Sequence, residues 1–272
     1  MSPYPNDTWR WGMTAQLGLM APLAIVVLAT FLALSGISAV RQIPFTELIA
    51  TVWLPLRGHF GLVLLFVGTA ASTILALGLA IPIGLSAALY LALYATPTVR
   101  SLADASIALL GGMPSVVIGL WAMTWIVPMA GNSLLAAVLV LALMITPTFT
   151  LLAGASLRQS PADLVEAVQA LGVSEWHIVS MVVQHARWGI LGAVILAAAR
   201  GLGEAVAVSM VAGNVPAWPS LPGPMATLTT TLIVEFEGAA GLHRNALYLL
   251  ACLVMGLIGG VSLIGRMMQR RS

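Results

Sequence analysis

The chain contains no lysine, and only 7% of its 272 residues are charged. A soluble domain carries roughly 25% charged residues. Water could not solvate a surface so poor in charge, which excludes a soluble globular domain. Without lysine there is no phosphate-binding loop of the Gly-x4-Gly-Lys-Ser/Thr kind. The chain therefore has no nucleotide site of that type. The single cysteine, Cys252, lies in an apolar run. That excludes a disulfide framework and a thiolate metal cluster. Eleven arginines against nine acids leave a net charge of +2, too small an excess to point to nucleic acid. The first 16 residues lack the short apolar core and small-residue cleavage site of a secretory signal. The first apolar run is therefore expected to persist as a helix.

What remains is apolar. Sixty per cent of the residues are hydrophobic and the mean hydropathy is +1.03. A spanning helix needs about 20 mostly apolar residues. Six runs qualify: residues 17–40, 61–85 (with helix possible to Tyr94), 105–127, 133–157, 189–212 and 246–264. The expected fold is an all-α polytopic membrane protein with six transmembrane helices. Prolines 82, 114 and 147 fall in or near these runs, and membrane helices tolerate proline where neighbours satisfy the freed carbonyl. Glycines 189, 192, 201 and 203 suit close packing of helices in lipid.

Arginine placement orients the spans. With the N-terminus in the cytoplasm, Arg10, Arg100, Arg158, Arg187, Arg266, Arg270 and Arg271 lie inside, and Arg41, Arg57 and Arg244 lie outside. That asymmetry obeys the positive-inside rule, and the reverse orientation breaks it. The expected organisation is a cytoplasmic segment 1–16, a first span 17–40 and an outer loop 41–60. A core of five spans follows over 61–265, holding a cytoplasmic loop 158–187 and an outer loop 214–245, with a cytoplasmic tail 266–272. The loop 41–60 has room for a short interfacial helix, and Trp53 suits an interface anchor.

The loop 158–187 is polar and patterned as helix. Ser160, Pro161 and Asp163 form a helix start with the elements of a capping box. Leu164, Val165, Val168 and Leu171 form an apolar stripe at helical spacing. Gly172 stops that helix, and Ser174 can cap a second one through Glu175, Trp176, Ile178 and Val179. Two short helices joined at a glycine make a knob too polar to cross a bilayer. It is either a connecting loop lying on its own membrane domain or a docking element for a soluble subunit.

The fifth run holds Arg200 and Glu204 at i and i+4, on one helical face. An ionisable residue at a helix centre costs about 2.5–3.5 kcal/mol on insertion scales. Two of them mean an ion pair that pins this span to its neighbours, or a polar path for an anion. In the second case the planar guanidinium of Arg200 suits an oxyanion, and Glu204 holds Arg200 and limits how tightly the anion binds. Glu235 and Glu237 read as vestibule or solvated residues, His243 and Arg244 as outer-surface residues and His59 as an interfacial one. His177 and His185 read as loop-surface residues, not a metal site. Thr229, Thr230 and Thr231 can hydrogen-bond substrate or neighbouring helices, and helix contact is the expectation for each.

Glu166-Ala167-Val168 with Gly172 six residues after the glutamate resembles the Glu-Ala-Ala…Gly loop of ABC importer permeases. The block 200–214 (RGLGEAVAVSMVAGN), GTAAST at 68–73, GGMPSVVIGLW at 111–121, LALMITPTFT at 141–150 and the stretch 227–243 are similar to the PstC branch of the phosphate-uptake permeases. The likeness runs from about Phe60 to the C-terminus. It implies a type I ABC importer permease fold with a cytoplasmic coupling-helix loop, in a prokaryotic inner membrane. It implies a transport subunit, not an enzyme, whose coupling residues are Glu166, Ala167 and Gly172 and whose substrate path holds Arg200 and Glu204. It implies no cofactor bound by this chain, with ATP and Mg at partner subunits. The implied partners are a second permease subunit, two ATPase subunits and a periplasmic or extracellular phosphate-binding protein, besides membrane lipid. Val168 replaces the second alanine of the family loop, and Gln184-His185 stands where the family has Leu-Pro. The outer loop after the first span is also short. The alternatives are an ABC permease for sulfate or molybdate and a secondary anion transporter. An intramembrane enzyme needs a converging catalytic constellation that these spans lack.

Overall fold

In lipid every backbone N–H and C=O must be paired within the protein, which an uninterrupted helix achieves by itself. The computed structural model describes residues 8–159 and 172–270. In chain order the elements are α1 (Thr8–Gln42), the short α2 (Phe45–Leu48), a hairpin of β1 (Trp53–Leu54) and β2 (His59–Phe60), and α3 (Val63–Leu93). Then come α4 (Pro97–Gly111), α5 (Ser115–Trp125), α6 (Val127–Ala130), α7 (Leu134–Leu157), α8 (Glu175–His185) and α9 (Arg187–Gly203). The described chain closes with α10 (Val206–Val211), α11 (Leu228–Glu235) and α12 (Gly241–Gln269). Four helices are long and apolar enough to cross a membrane: Pro22–Gln42 of α1, and α3, α7 and α12. Counting the bent pairs α4–α5 and α8–α9 as one span each raises the number to six. The chain is an almost wholly α-helical, multi-pass membrane protein.

Two of the expected spans are not single helices. The run 105–127 divides into α4 and α5, bent by 85°. Its linker is Gly112-Met113-Pro114. Proline removes an N–H and drives the preceding residue out of the helical region, so the chain turns there. The run 189–212 divides after Gly203. Glu204 takes an extended conformation (φ −74°, ψ 119°), and a new short helix starts at Val206. Pro82 and Pro147, by contrast, lie inside continuous helices.

α7 is the hub. Leu141, Ile145 and Phe149 on it are fully buried, packed among α3, α5, α9 and α10. Small residues let the helices close. At Gly84 of α3 a Cβ atom would come within 2.7 Å of the Phe149 ring. At Gly192 of α9 it would come within 2.9 Å of the Gly265 carbonyl of α12. That neighbour is backbone and cannot swing away. We expect Gly192→Val to destabilise the protein by about 1–3 kcal/mol through overpacking, read as a lowered Tm of the detergent-purified protein. An unchanged Tm would show that α9 and α12 are free to part. α1 lies against α12, and its remaining surface exposes Leu23, Ile25, Phe31 and Leu34, a face that lipid solvates.

One end of the bundle is sealed by the hairpin. Trp53 is 4% exposed and its indole N–H donates to Glu235 Oε1 and Oε2 at 2.9 and 3.0 Å. It is therefore a buried clasp, not the interface anchor expected from the sequence. His243 Nε2 lies 2.8 Å from Glu235 Oε2, so this histidine belongs to the same cluster and not to the open surface. His59 is exposed and pairs with Glu47 at 3.0 Å. The segment after α10 folds back over the start of α7. Carbonyls of Val211, Gly223 and Leu221 accept from the N–H groups of Ser133, Leu134 and Leu135 at 2.9–3.0 Å. The turn needs left-handed backbone at Gly213 (φ 81°) and Asn214 (φ 54°). At the opposite end, Arg100 caps α3 by donating from Nε to the Leu91 carbonyl at 2.7 Å, and Arg158 pairs with Asp104 at 3.5 Å.

Candidate functional site

The two helix breaks meet at Arg200. A helix end leaves carbonyls without intrahelical partners, and Gly111, the last residue of α4, is half-buried at the edge of the packed helices. Arg200, in the last turn of α9, donates from Nη2 to the Gly111 carbonyl, the last residue of α4, at 3.1 Å. The guanidinium thus sits where two helix C-termini converge, a position that the helix dipoles favour for a cation. Its Nε is buried and has no hydrogen-bond partner. Beyond the bend, α5 rests on α10: a Cβ on Gly119 would lie 3.2 Å from Cα of Ala207.

Glu204 does not hold Arg200. The expectation that they share a helical face assumed a helix through residue 212, and the helix ends at Gly203. Glu204 Oε1 instead accepts from the Ala207 N–H at 3.1 Å, capping α10. Its backbone carbonyl accepts from Thr229 Oγ1 at 2.9 Å. The second carboxylate oxygen makes no hydrogen bond among the described residues. The break thus presents a guanidinium with a spare donor and a carboxylate with a spare acceptor.

Threonines brace this break from α3 and α11. Thr227 and Thr230 form a reciprocal capping box at the start of α11. Thr69 Oγ1 accepts from the Leu228 N–H at 3.0 Å and donates to the Leu65 carbonyl at 2.7 Å. Of the three threonines expected at helix contacts, Thr229 ties α11 to the Glu204 turn, whereas Thr230 and Thr231 bond Thr227 within α11 itself. Sequence reasoning passed over Thr69 and Gly111. The signal for both was there, in a hydroxyl-rich patch on an otherwise apolar span and in a Gly-Gly-x-Pro stop inside one.

The loop residues fall partly outside the described region. Glu166, Ala167 and the helix start at Ser160 lie there. Gly172 adopts left-handed backbone (φ 68°), and a Cβ there would meet nothing within 4 Å among the described residues. Ser174 is the N-cap residue of α8, its carbonyl accepting from the His177 N–H at 2.9 Å, but its hydroxyl makes no cap bond and meets His177 Nδ1 at 2.7 Å. Gln184-His185 closes α8, and the chain turns 66° into α9 at the buried Ala186. The corner therefore forms without the Leu-Pro ending. Arg187 lies over the Trp188 ring at 5.5 Å beside it. No group of three or more His, Cys, Asp or Glu able to hold a metal occurs among the described residues.

Comparison with known proteins agrees with this architecture. The family model described as "Binding-protein-dependent transport system inner membrane component" matches residues 80–271. The chain is 27% identical over 298 residues to the phosphate transport system permease protein PstC of Haemophilus influenzae, covering 97% of this chain and 95% of that one. It is 33% identical over 224 residues to the probable ABC transporter permease protein YqgH of Bacillus subtilis, covering 77% and 72%. It is 30% identical over 281 residues to the phosphate transport system permease protein PstC 1 of Mycobacterium tuberculosis, covering 86% and 82%.

Proposed function

The chain belongs to the family of inner membrane components of binding-protein-dependent transport systems, and on that premise we propose that it forms the pathway for inorganic phosphate in an ATP-driven importer. The observation that carries the reading is the Arg200–Glu204 turn. Arg200 keeps an unsatisfied donor at a break in the membrane interior, and Glu204 keeps a free acceptor oxygen beside it. Hydrogen phosphate carries both kinds of oxygen: P–O⁻ accepts from the guanidinium and P–OH donates to the carboxylate. Sulfate at neutral pH has no proton for Glu204, so the pair favours phosphate. The names of the relatives support the same substrate.

The pathway needs a motor, because this chain has no lysine for a phosphate-binding loop. ATP with Mg is hydrolysed on two partner ATPase subunits, and the permease unit is completed by a second permease chain. Glu166, Ala167 and Gly172 form the coupling surface. Arginine placement supports its side. Arg57 and Arg244 belong to the hairpin end, while Arg100, Arg158 and Arg187 belong to the other. The positive-inside rule then puts both termini and the loop around Gly172 in the cytoplasm. The hairpin end faces outward, where a phosphate-binding protein delivers the anion.

Breaks at Gly112–Pro114 and Glu204–Ala205 suit a path that opens and closes, since each half-helix can tilt without tearing a continuous ladder. The test is reconstitution with the co-expressed neighbours in proteoliposomes. ATP-dependent phosphate uptake that excess sulfate does not inhibit is the expected result. Preferred uptake of sulfate or molybdate would move the substrate assignment. Uptake by this chain alone without ATP would replace the whole reading by a secondary transporter.

A further inference from the structure

The segment 68–73, Gly-Thr-Ala-Ala-Ser-Thr, brings hydroxyls into the apolar interior of α3. A serine or threonine in such a helix normally donates to the carbonyl four residues back. Thr69 does so to Leu65, Ser72 to Gly68, Thr150 to Thr146 and Ser156 to Leu152, at 2.7–3.2 Å. Ser133 and the buried threonines at the start of α11 are likewise bonded. Thr73 is the exception among the described residues. It is 4% exposed, and its Oγ1 has no hydrogen-bond partner. The Thr69 carbonyl, its usual acceptor, is taken by Ser72 Oγ at 3.2 Å.

A buried hydroxyl left unpaired costs stability, so one that is kept needs a reason, and a ligand from outside the chain is one such reason. Its position indicates which partner. Thr73 meets α9 at Gly201: a Cβ there would lie 3.3 Å from Thr73 Cγ2. Gly201 follows Arg200, whose Nε is the other buried donor without a partner. The two unpaired donors therefore belong to Thr73, at a close α3–α9 contact, and to Arg200, the residue before the glycine of that contact. The third unpaired buried side-chain atom among the described residues, Asn214 Oδ1, is an acceptor in the turn that follows α10.

We propose that Thr73 is a neutral ligand of the transported oxyanion, sharing it with Arg200. The inference rests on the phosphate-path reading and adds a residue to it. A hydroxyl can donate to P–O⁻ or accept from P–OH. It tightens the site without adding positive charge, so the anion is held but still released. Gly201 lets Thr73 sit this close to α9, since a Cβ there would press on Ile145 Cδ1 at 3.1 Å and Thr73 Cγ2 at 3.3 Å.

Thr73→Val keeps the shape and removes the hydroxyl, and Thr73→Ser keeps the hydroxyl. If the hydroxyl serves nothing, Thr73→Val removes only an unmade bond and leaves uptake unchanged or the protein more stable. If it binds the anion, Thr73→Val raises the KM for phosphate in the reconstituted complex by about five- to tenfold, the range of one neutral hydrogen bond. Assembly and Tm are expected to hold at wild-type values, and Thr73→Ser to stay within about twofold of the wild-type KM. A wild-type KM in Thr73→Val overturns the proposal. A KM equally raised in Thr73→Ser also overturns it, because packing is then the cause. If the wild-type complex carries sulfate and not phosphate, the substrate reading fails by itself, and the same variants measured with sulfate still decide the role of Thr73.

Discussion

Replacing Arg200 with alanine is expected to cut phosphate uptake at least about a hundredfold while the complex still assembles. Hydrogen bonds to charged groups contribute about 1.5–3 kcal/mol each, and every 1.4 kcal/mol is a factor of ten. Loss of two such bonds to the anion therefore exceeds a hundredfold on kcat/KM. Arg200 has a second task, because its Nη2 holds the Gly111 carbonyl at the end of α4. Alanine leaves that carbonyl without its donor, at a cost of about 1–3 kcal/mol, so Tm should fall as well. Arg200→Gln separates the two effects. Its amide can still donate to a carbonyl, but it carries no charge for the anion. We expect Arg200→Gln to recover much of the Tm and none of the uptake, measured with labelled phosphate in proteoliposomes. Near-normal uptake in either variant reduces Arg200 to a clip on α4.

Arg200, a clip on α4 and the proposed anion ligand, shows where the sequence is legible and where it is not. Hydropathy alone locates α1, α3, α7 and α12, because a long apolar run in lipid has few choices but a continuous helix. It places Ser133 at the start of α7, where the side chain does cap Ala136 at 3.2 Å. Hydropathy fails at the two broken spans, since a break lined by apolar residues has the same composition as a helix. The α4–α5 bend carries a local sign, Gly-Gly-x-Pro. The break after Gly203 carries almost none. It depends on tertiary bonds, with Thr229 taking the Glu204 carbonyl and the Glu204 side chain capping α10. An i, i+4 spacing marks a pair only while the helix continues between its members. Trp53 misled for a similar reason: its partner, Glu235, is 182 residues away. The charged residues were visible as unusual, and their partners became visible only in three dimensions.

The loop around Gly172 yields the second large effect. Glu166→Lys and Gly172→Asp are each expected to reduce ATP-driven uptake to below about one hundredth, with membrane insertion unaffected. An unpaired charge trapped at an interface costs about 2–5 kcal/mol, which is enough to keep the ATPase from seating. Backbone strain is a competing cause at Gly172, since its φ of 68° is left-handed. Its magnitude is about 1–2 kcal/mol for an ordinary residue, and less for Asp and Asn, whose short polar side chains tolerate that region. Among the described residues a Cβ at this position meets nothing within 4 Å, so none of them adds a steric conflict. Gly172→Asn is therefore the control, with the same shape and backbone demand as Asp but no charge. If charge at a docking surface is the cause, Gly172→Asn transports nearly normally while Gly172→Asp does not, and the ATPase co-purifies with the first and not the second. If both variants fail alike, the turn geometry is the cause. If Glu166→Lys and Gly172→Asp both keep the ATPase bound and uptake intact, the loop does not couple this permease to its motor.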